Sequence, residues 1–99
     1  MASKKTLPPL PRFVHFPTGK VAVKRVKNLQ DAEKACGMFH WNTREIWIDA
    51  SLGLHAAHLT LEHEKIHVVM MDAGISLDEY TEERLCDTLA ASRVAEMLR

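Results

Sequence analysis

A helix stop followed at once by a helix start commits the second half of the chain to one shape. Gly74 stands where a helix closes in the left-handed conformation, and Ile75 can supply the apolar contact of that closure. Ser76-Leu77-Asp78-Glu79 then carries the spacing of a capping box and opens the next helix. The pattern predicts one helix from about Leu54 to Ala73 and a second to about Leu98, packed as antiparallel neighbours.

The first half has a different grain. Phe13 to Phe16 and Val21 to Val26 are apolar, β-branched runs separated by Pro17-Thr18-Gly19, which is turn chemistry. Asn28 can cap a short helix through Leu29, Ala32, Ala35 and Cys36, with Gly37 placed to end it. Met38 to Trp41 and Glu45 to Ala50 flank Asn42-Thr43-Arg44 as a hairpin, with Ile46 and Ile48 on one face and Glu45, Trp47 and Asp49 on the other. The expected fold is therefore α+β: a small, mainly N-terminal sheet with a short helix, followed by an antiparallel helical hairpin. Residues 1–12 read as a flexible, basic, proline-rich arm and 13–99 as a single domain.

Ninety-nine residues suffice for one domain and bury only roughly two-thirds of the unfolded surface, so a bound ion would add materially to stability. No apolar run approaches the ~18 residues of a membrane span, and no signal-peptide core follows the N-terminal lysines. Cys36 and Cys86 read as free, core-type thiols of a reducing cytoplasm. The net charge is zero, but residues 1–27 hold seven Lys or Arg and no acid, while the remaining 72 hold six basic and thirteen acidic residues. A basic segment docked on an acidic body is the plainer expectation. A nucleic-acid patch is the sharper one, and the lack of arginine–aromatic interleaving argues against it.

The chemistry sits on the first long helix, in His63-Glu64-Lys65-Ile66-His67. At ~100° per residue the two histidines fall about 40° apart and Glu64 about 60° beyond His67, on the same side. Two imidazoles can then share one ion while the carboxylate reaches a water beside it. Leu59, Ile66 and Met70 flank the stripe on one side and Ala57, Leu61 and Val68 on the other, as a water-excluding shell requires. Chance order would produce about 0.03 such H-E-x-x-H matches in a chain of this composition.

A third ligand is expected from the second helix. Glu83 projects near the middle of its apolar arc of Leu89, Cys86, Met97, Ala90, Val94 and Leu98, and a carboxylate aimed into a core needs a partner. Glu82, nearer the edge, is the alternative ligand, and an outward turn of Glu83 to Arg84 or Arg93 is the alternative without a metal. Asp87, one turn on, suits the role of accepting an N–H from a ligating histidine. Tyr80, His58 and His40 are candidates for oxyanion contact.

His63-Glu64-x-x-His67 followed by Glu83-x-x-x-Asp87 resembles the gluzincin arrangement of zinc metallopeptidases, in the minimal form called minigluzincins. With Ile46-Trp47-Ile48-Asp49 and Leu59-Thr60-Leu61-Glu62 preceding it, the pattern is also similar to ImmA/IrrE-like metallopeptidases of phages and prophages, over roughly residues 37–98. The resemblance implies one Zn2+ per chain on His63, His67 and Glu83, with Glu64 as general base and acid in peptide-bond hydrolysis. It also implies a peptide or protein substrate, and a host cytoplasm for a phage-encoded chain. Many relatives carry a small apolar residue where Lys65 follows the motif's glutamate. A peptide could add as a strand to an exposed sheet edge, expected around Glu45 to Asp49. The alternative function is a catalytically silent, zinc-stabilised interaction or regulatory module.

Overall fold

The computed structural model describes residues 6–99, and the first five residues of the arm, with Lys4 and Lys5, lie outside that range. The chain is α+β. Strands β1 (Phe13–Phe16) and β2 (Gly19–Val26) precede the short helix α1 (Leu29–Glu33). Strands β3 (Gly37–His40) and β4 (Glu45–Asp49) follow, then the long helices α2 (Leu54–Ala73) and α3 (Glu79–Met97). The four strands form one mixed sheet in the order β1-β2-β4-β3. β1–β2 and β3–β4 are antiparallel, and β2 runs parallel to β4, with α1 and β3 making the crossover.

Alternation decides which face is covered. Ile46 and Ile48 of β4 and Val21 of β2 point into one core with Ala57, Leu61 and Val68 of α2, all buried. Asp49 is buried although it belongs to the opposite alternation. Its carboxylate accepts from the Gln30 backbone N–H (2.7 Å), the Ser51 N–H (2.8 Å) and the Ser51 hydroxyl (2.6 Å). The start of α1 is thus capped by Asp49 and not by Asn28, which sits at φ 60° without a side-chain cap bond. The helix also ends early, at Glu33, and Gly37 opens β3 instead of closing α1. A glycine is required there because a Cβ would run into Thr60 Cγ2 and come within 3.1 Å of the Trp47 carbonyl oxygen. β3 therefore lies against α2, next to the histidine stripe.

The Ser51 hydroxyl and the two backbone N–H groups hold the Asp49 carboxyl below its ordinary value. A group depressed in the folded state contributes stability above its unfolded pKa of about 4 and loses it as pH falls through the folded value. Asp49→Asn is expected to lower the melting temperature at neutral pH. The gap to the parent should narrow below about pH 4, as the parent's own carboxylate protonates. Glu45, Asp72 and Asp78, also held low by hydrogen bonds, contribute acid sensitivity in both proteins. A pH series of thermal melts checks this, and parallel curves would contradict it.

Gly74, at φ 69°, closes α2 as expected, with its N–H on the Met71 carbonyl and the Ile75 N–H reaching back to Met70. The start of α3 differs from the sequence expectation. Asp78, not Ser76, is the cap, its carboxylate accepting from Thr81 N–H at 2.9 Å. Two cap-type residues stand two apart here, and the one nearer the first helical turn wins. Residues 6–12 form neither helix nor strand but lie on the body: Leu7 is buried, Leu10 packs against the core, and the His58 ring donates from Nε2 to the Pro8 carbonyl at 2.6 Å. Cys86 is a buried free thiol as expected, whereas Cys36 is exposed. Among the described residues no helix is long and apolar enough to cross a membrane.

Candidate metal centre

α2 carries His63, Glu64 and His67, and α3 carries Glu82, Glu83 and Asp87. The short link holds the two helices side by side, so a turn near the end of α2 meets a turn near the start of α3. Five contacts define the meeting. His63 Nε2 and His67 Nε2 are 3.1 Å apart. The Glu83 carboxylate places Oε2 3.1 Å from the first and Oε1 3.1 Å from the second. On the far sides of the rings, His63 Nδ1 lies 2.8 Å from Asp87 Oδ1 and His67 Nδ1 lies 2.6 Å from Glu82 Oε2.

Each Nδ1 sits closer to its outer carboxylate than its Nε2 does to Glu83, so the tautomer with the hydrogen on Nδ1 leaves both Nε2 lone pairs free for a shared ion. Two imidazole lone pairs and a carboxylate facing one another repel unless a proton or a metal ion lies between them. A tetrahedral ion with bonds of about 2.0–2.1 Å separates its ligands by roughly 3.3 Å, close to the 3.1 Å found. Neutral histidines oriented by outer carboxylates, plus one carboxylate ligand and an open position, make a donor set that fits Zn2+. His63, Glu83 and Asp87 also bring three donor atoms within 4.8 Å of one another, as do His63, His67 and Cys86.

The two glutamates thus take different sides: Glu83 meets the Nε2 atoms and Glu82 an Nδ1. Their burial is the reverse of the helical projection, the Glu83 side chain being 49% exposed and that of Glu82 27%. Arg93 turns to Glu62 at 3.6 Å, not to Glu83. The reason is packing. Only Cys86, Ala90 and Val94 of α3 are buried, and Leu89, placed in the expected arc, is exposed. α3 therefore rests on α2 along a narrow seam with Glu83 beside it.

Sequence reasoning does not single out Cys86 as part of this cluster. Its Sγ lies 3.8 Å from His67 Nδ1. Burial, then the charges of Glu83 and Glu82, push its thiol up to about 11, so without an ion it stays protonated at neutral pH. Its one signal in the sequence is its place a turn after Glu82.

Glu64 is 9% exposed, and burial pushes its carboxyl upward against the pull of His67 and His63, with Glu83 adding to the rise. It makes no hydrogen bond among the described residues, and its side chain borders two clefts. One, of about 520 Å³, is lined by Gly37, Leu59, Thr60, His63, Glu64, His67, Glu83 and Asp87, with Ala35 and Cys36 at its rim. The other, of about 390 Å³, shares Glu64 and His67 and adds Phe39, Met70, Met71, Ile75, Ser76 and Glu82. Tyr80, His58 and His40 line neither cleft. His58 is committed to Pro8, and His40 stacks on Trp47 with ring centroids 4.0 Å apart.

The expected sheet edge is corrected. β4, from Glu45 to Asp49, is an interior strand paired on both sides, and the free edge beside the clefts belongs to β3.

No protein-family model, curated protein or solved structure matches the chain. The site's own chemistry therefore carries the functional reading.

Proposed function

We propose that the chain is a zinc-dependent peptidase, with His63, His67 and Glu83 as ligands and Glu64 as general base and acid. The observation that carries this reading is Glu64 itself. A carboxylate on a largely buried side chain, raised by desolvation and opening only to the clefts, costs stability, and a purely structural ion held by three other residues has no use for it. Beside that ion, at the junction of two clefts, the same carboxylate can accept a proton from water and return it to a leaving amine. Bound Zn2+ would supply Lewis acidity toward the scissile carbonyl and a lowered pKa for water. Asp87 and Glu82 hold the Nδ1 hydrogens and so keep both imidazoles turned inward. Phe39, Met70 and Ile75 give the second cleft an apolar wall beside Glu64. The β3 edge offers backbone groups along which an extended peptide can pair.

One observation favours a second reading, a silent zinc-stabilised interaction module. Neither cleft is lined by a Tyr, Arg, Lys or third His that could meet a developing oxyanion. An unbiased peptide mixture, incubated with the chain plus zinc or plus chelator and read by mass spectrometry, separates the two. The peptidase cuts internal bonds in the zinc arm alone. A chain that takes up zinc and cuts nothing is the module.

A further inference from the structure

The two clefts that meet at Glu64 and His67 differ in chemistry. One is bordered by Phe39, Met70, Met71 and Ile75. The other has carboxylates on its rim, with the Glu83 side chain 49% and the Asp87 side chain 71% exposed. No Lys or Arg lines either cleft. Elsewhere Glu45 pairs with Lys24, Asp72 with Arg44, Glu62 with Lys65 and Arg93, and Glu96 with Arg99, while Asp31, Glu33 and Glu79 stand apart from the clefts without an ion pair among the described residues. Asp49 and Asp78 spend their charge on backbone N–H groups.

At the site, by contrast, Glu64, Glu82, Glu83 and Asp87 gather around two histidines. A divalent ion with neutral imidazole ligands offsets only half of those four negative charges. Glu64 is buried, unpartnered and turned to the cleft. Asp87 uses Oδ1 on His63 and has its other oxygen without a hydrogen bond among the described residues. The excess negative charge thus lies where a bound chain would pass.

We propose that this groove takes a cationic peptide. A Lys or Arg side chain lies beside Asp87 on one side of the scissile bond, and a large apolar side chain lies against Phe39, Met70 and Ile75 on the other. The cleavage half of this statement rests on the peptidase reading, whereas the binding half does not.

The test uses a set of equal-length peptides that carry Lys, Ala or Glu at the position meant for Asp87, and Leu or Asp at the position meant for the apolar cleft. Each is measured as kcat/KM on the zinc-loaded chain and as Kd, by fluorescence anisotropy, on zinc-loaded Glu64→Gln. Lys is expected to exceed Glu by about tenfold in both readouts, with the gap shrinking at high salt. The Lys preference should also shrink in Asp87→Asn, whose amide oxygen can still accept from His63, compared at matched zinc content. Ile75→Asp, which leaves the ligand set intact, should erase the advantage of Leu.

Cleavage with no preference for Lys overturns this inference and leaves the peptidase standing. Selective binding without cleavage upholds the groove and overturns the peptidase. Peptides that neither bind nor are cut overturn both.

Discussion

Glu64→Gln is expected to lower peptide cleavage by about 10²- to 10⁴-fold, the usual worth of a positioned general base, while zinc content stays at the parent's level. The amide fills the same space in the same buried position but cannot accept a proton. Glu64 also lies outside the set of atoms that converge at 3.1 Å, namely His63 Nε2, His67 Nε2 and the Glu83 carboxylate. Ligand loss is therefore not the route to inactivity. In the zinc-free chain, replacing a largely buried carboxylate by a neutral amide should leave the melting temperature equal to the parent's or higher, since the desolvation cost of the charge is removed. Rate and stability then move in opposite directions, as a catalytic role predicts. A variant that cleaves as fast as the parent would contradict the assignment of Glu64.

The second large effect is thermal. α3 buries only Cys86, Ala90 and Val94, so its attachment to α2 leans on the polar seam of His63, His67, Glu82, Glu83 and Asp87. An ion bound there holds both helices in the folded state and has no preformed site in the unfolded chain. At free zinc about 100-fold above Kd, the linkage amounts to roughly 2.7 kcal/mol, or about 10–20 °C of melting temperature for a domain this small. Chelation should lower the parent's midpoint by that much and zinc should restore it. His67→Ala should melt at one temperature with or without zinc. A parent whose midpoint ignores both chelator and zinc would contradict the metal site.

The helical hairpin is legible in the sequence because its signals are local. Gly74 closes α2 through bonds within a few residues of itself, and the 3.6-residue period needs nothing from the rest of the chain. The same locality puts His63, Glu64 and His67 on one side of a helix by spacing alone. The features that the sequence hides depend on partners far along the chain. The parallel pairing of β2 with β4 decides that β4 is interior and β3 the edge, and strand order is not written in the alternation of either strand. Asp49 caps a helix 19 residues earlier, and His58 holds a carbonyl 50 residues away. Whether Glu82 or Glu83 meets the Nε2 atoms depends on how α3 rolls against α2. A projection of one ideal helix does not contain that roll.

The most direct test of the metal centre is the metal content of the untagged parent and of Glu83→Ala, by inductively coupled plasma mass spectrometry after equilibration with zinc and removal of the excess. One zinc per parent chain, and a sharp fall in Glu83→Ala, is the expected result. A parent that refuses added zinc, or a Glu83→Ala variant that holds it as well as the parent, would contradict the site.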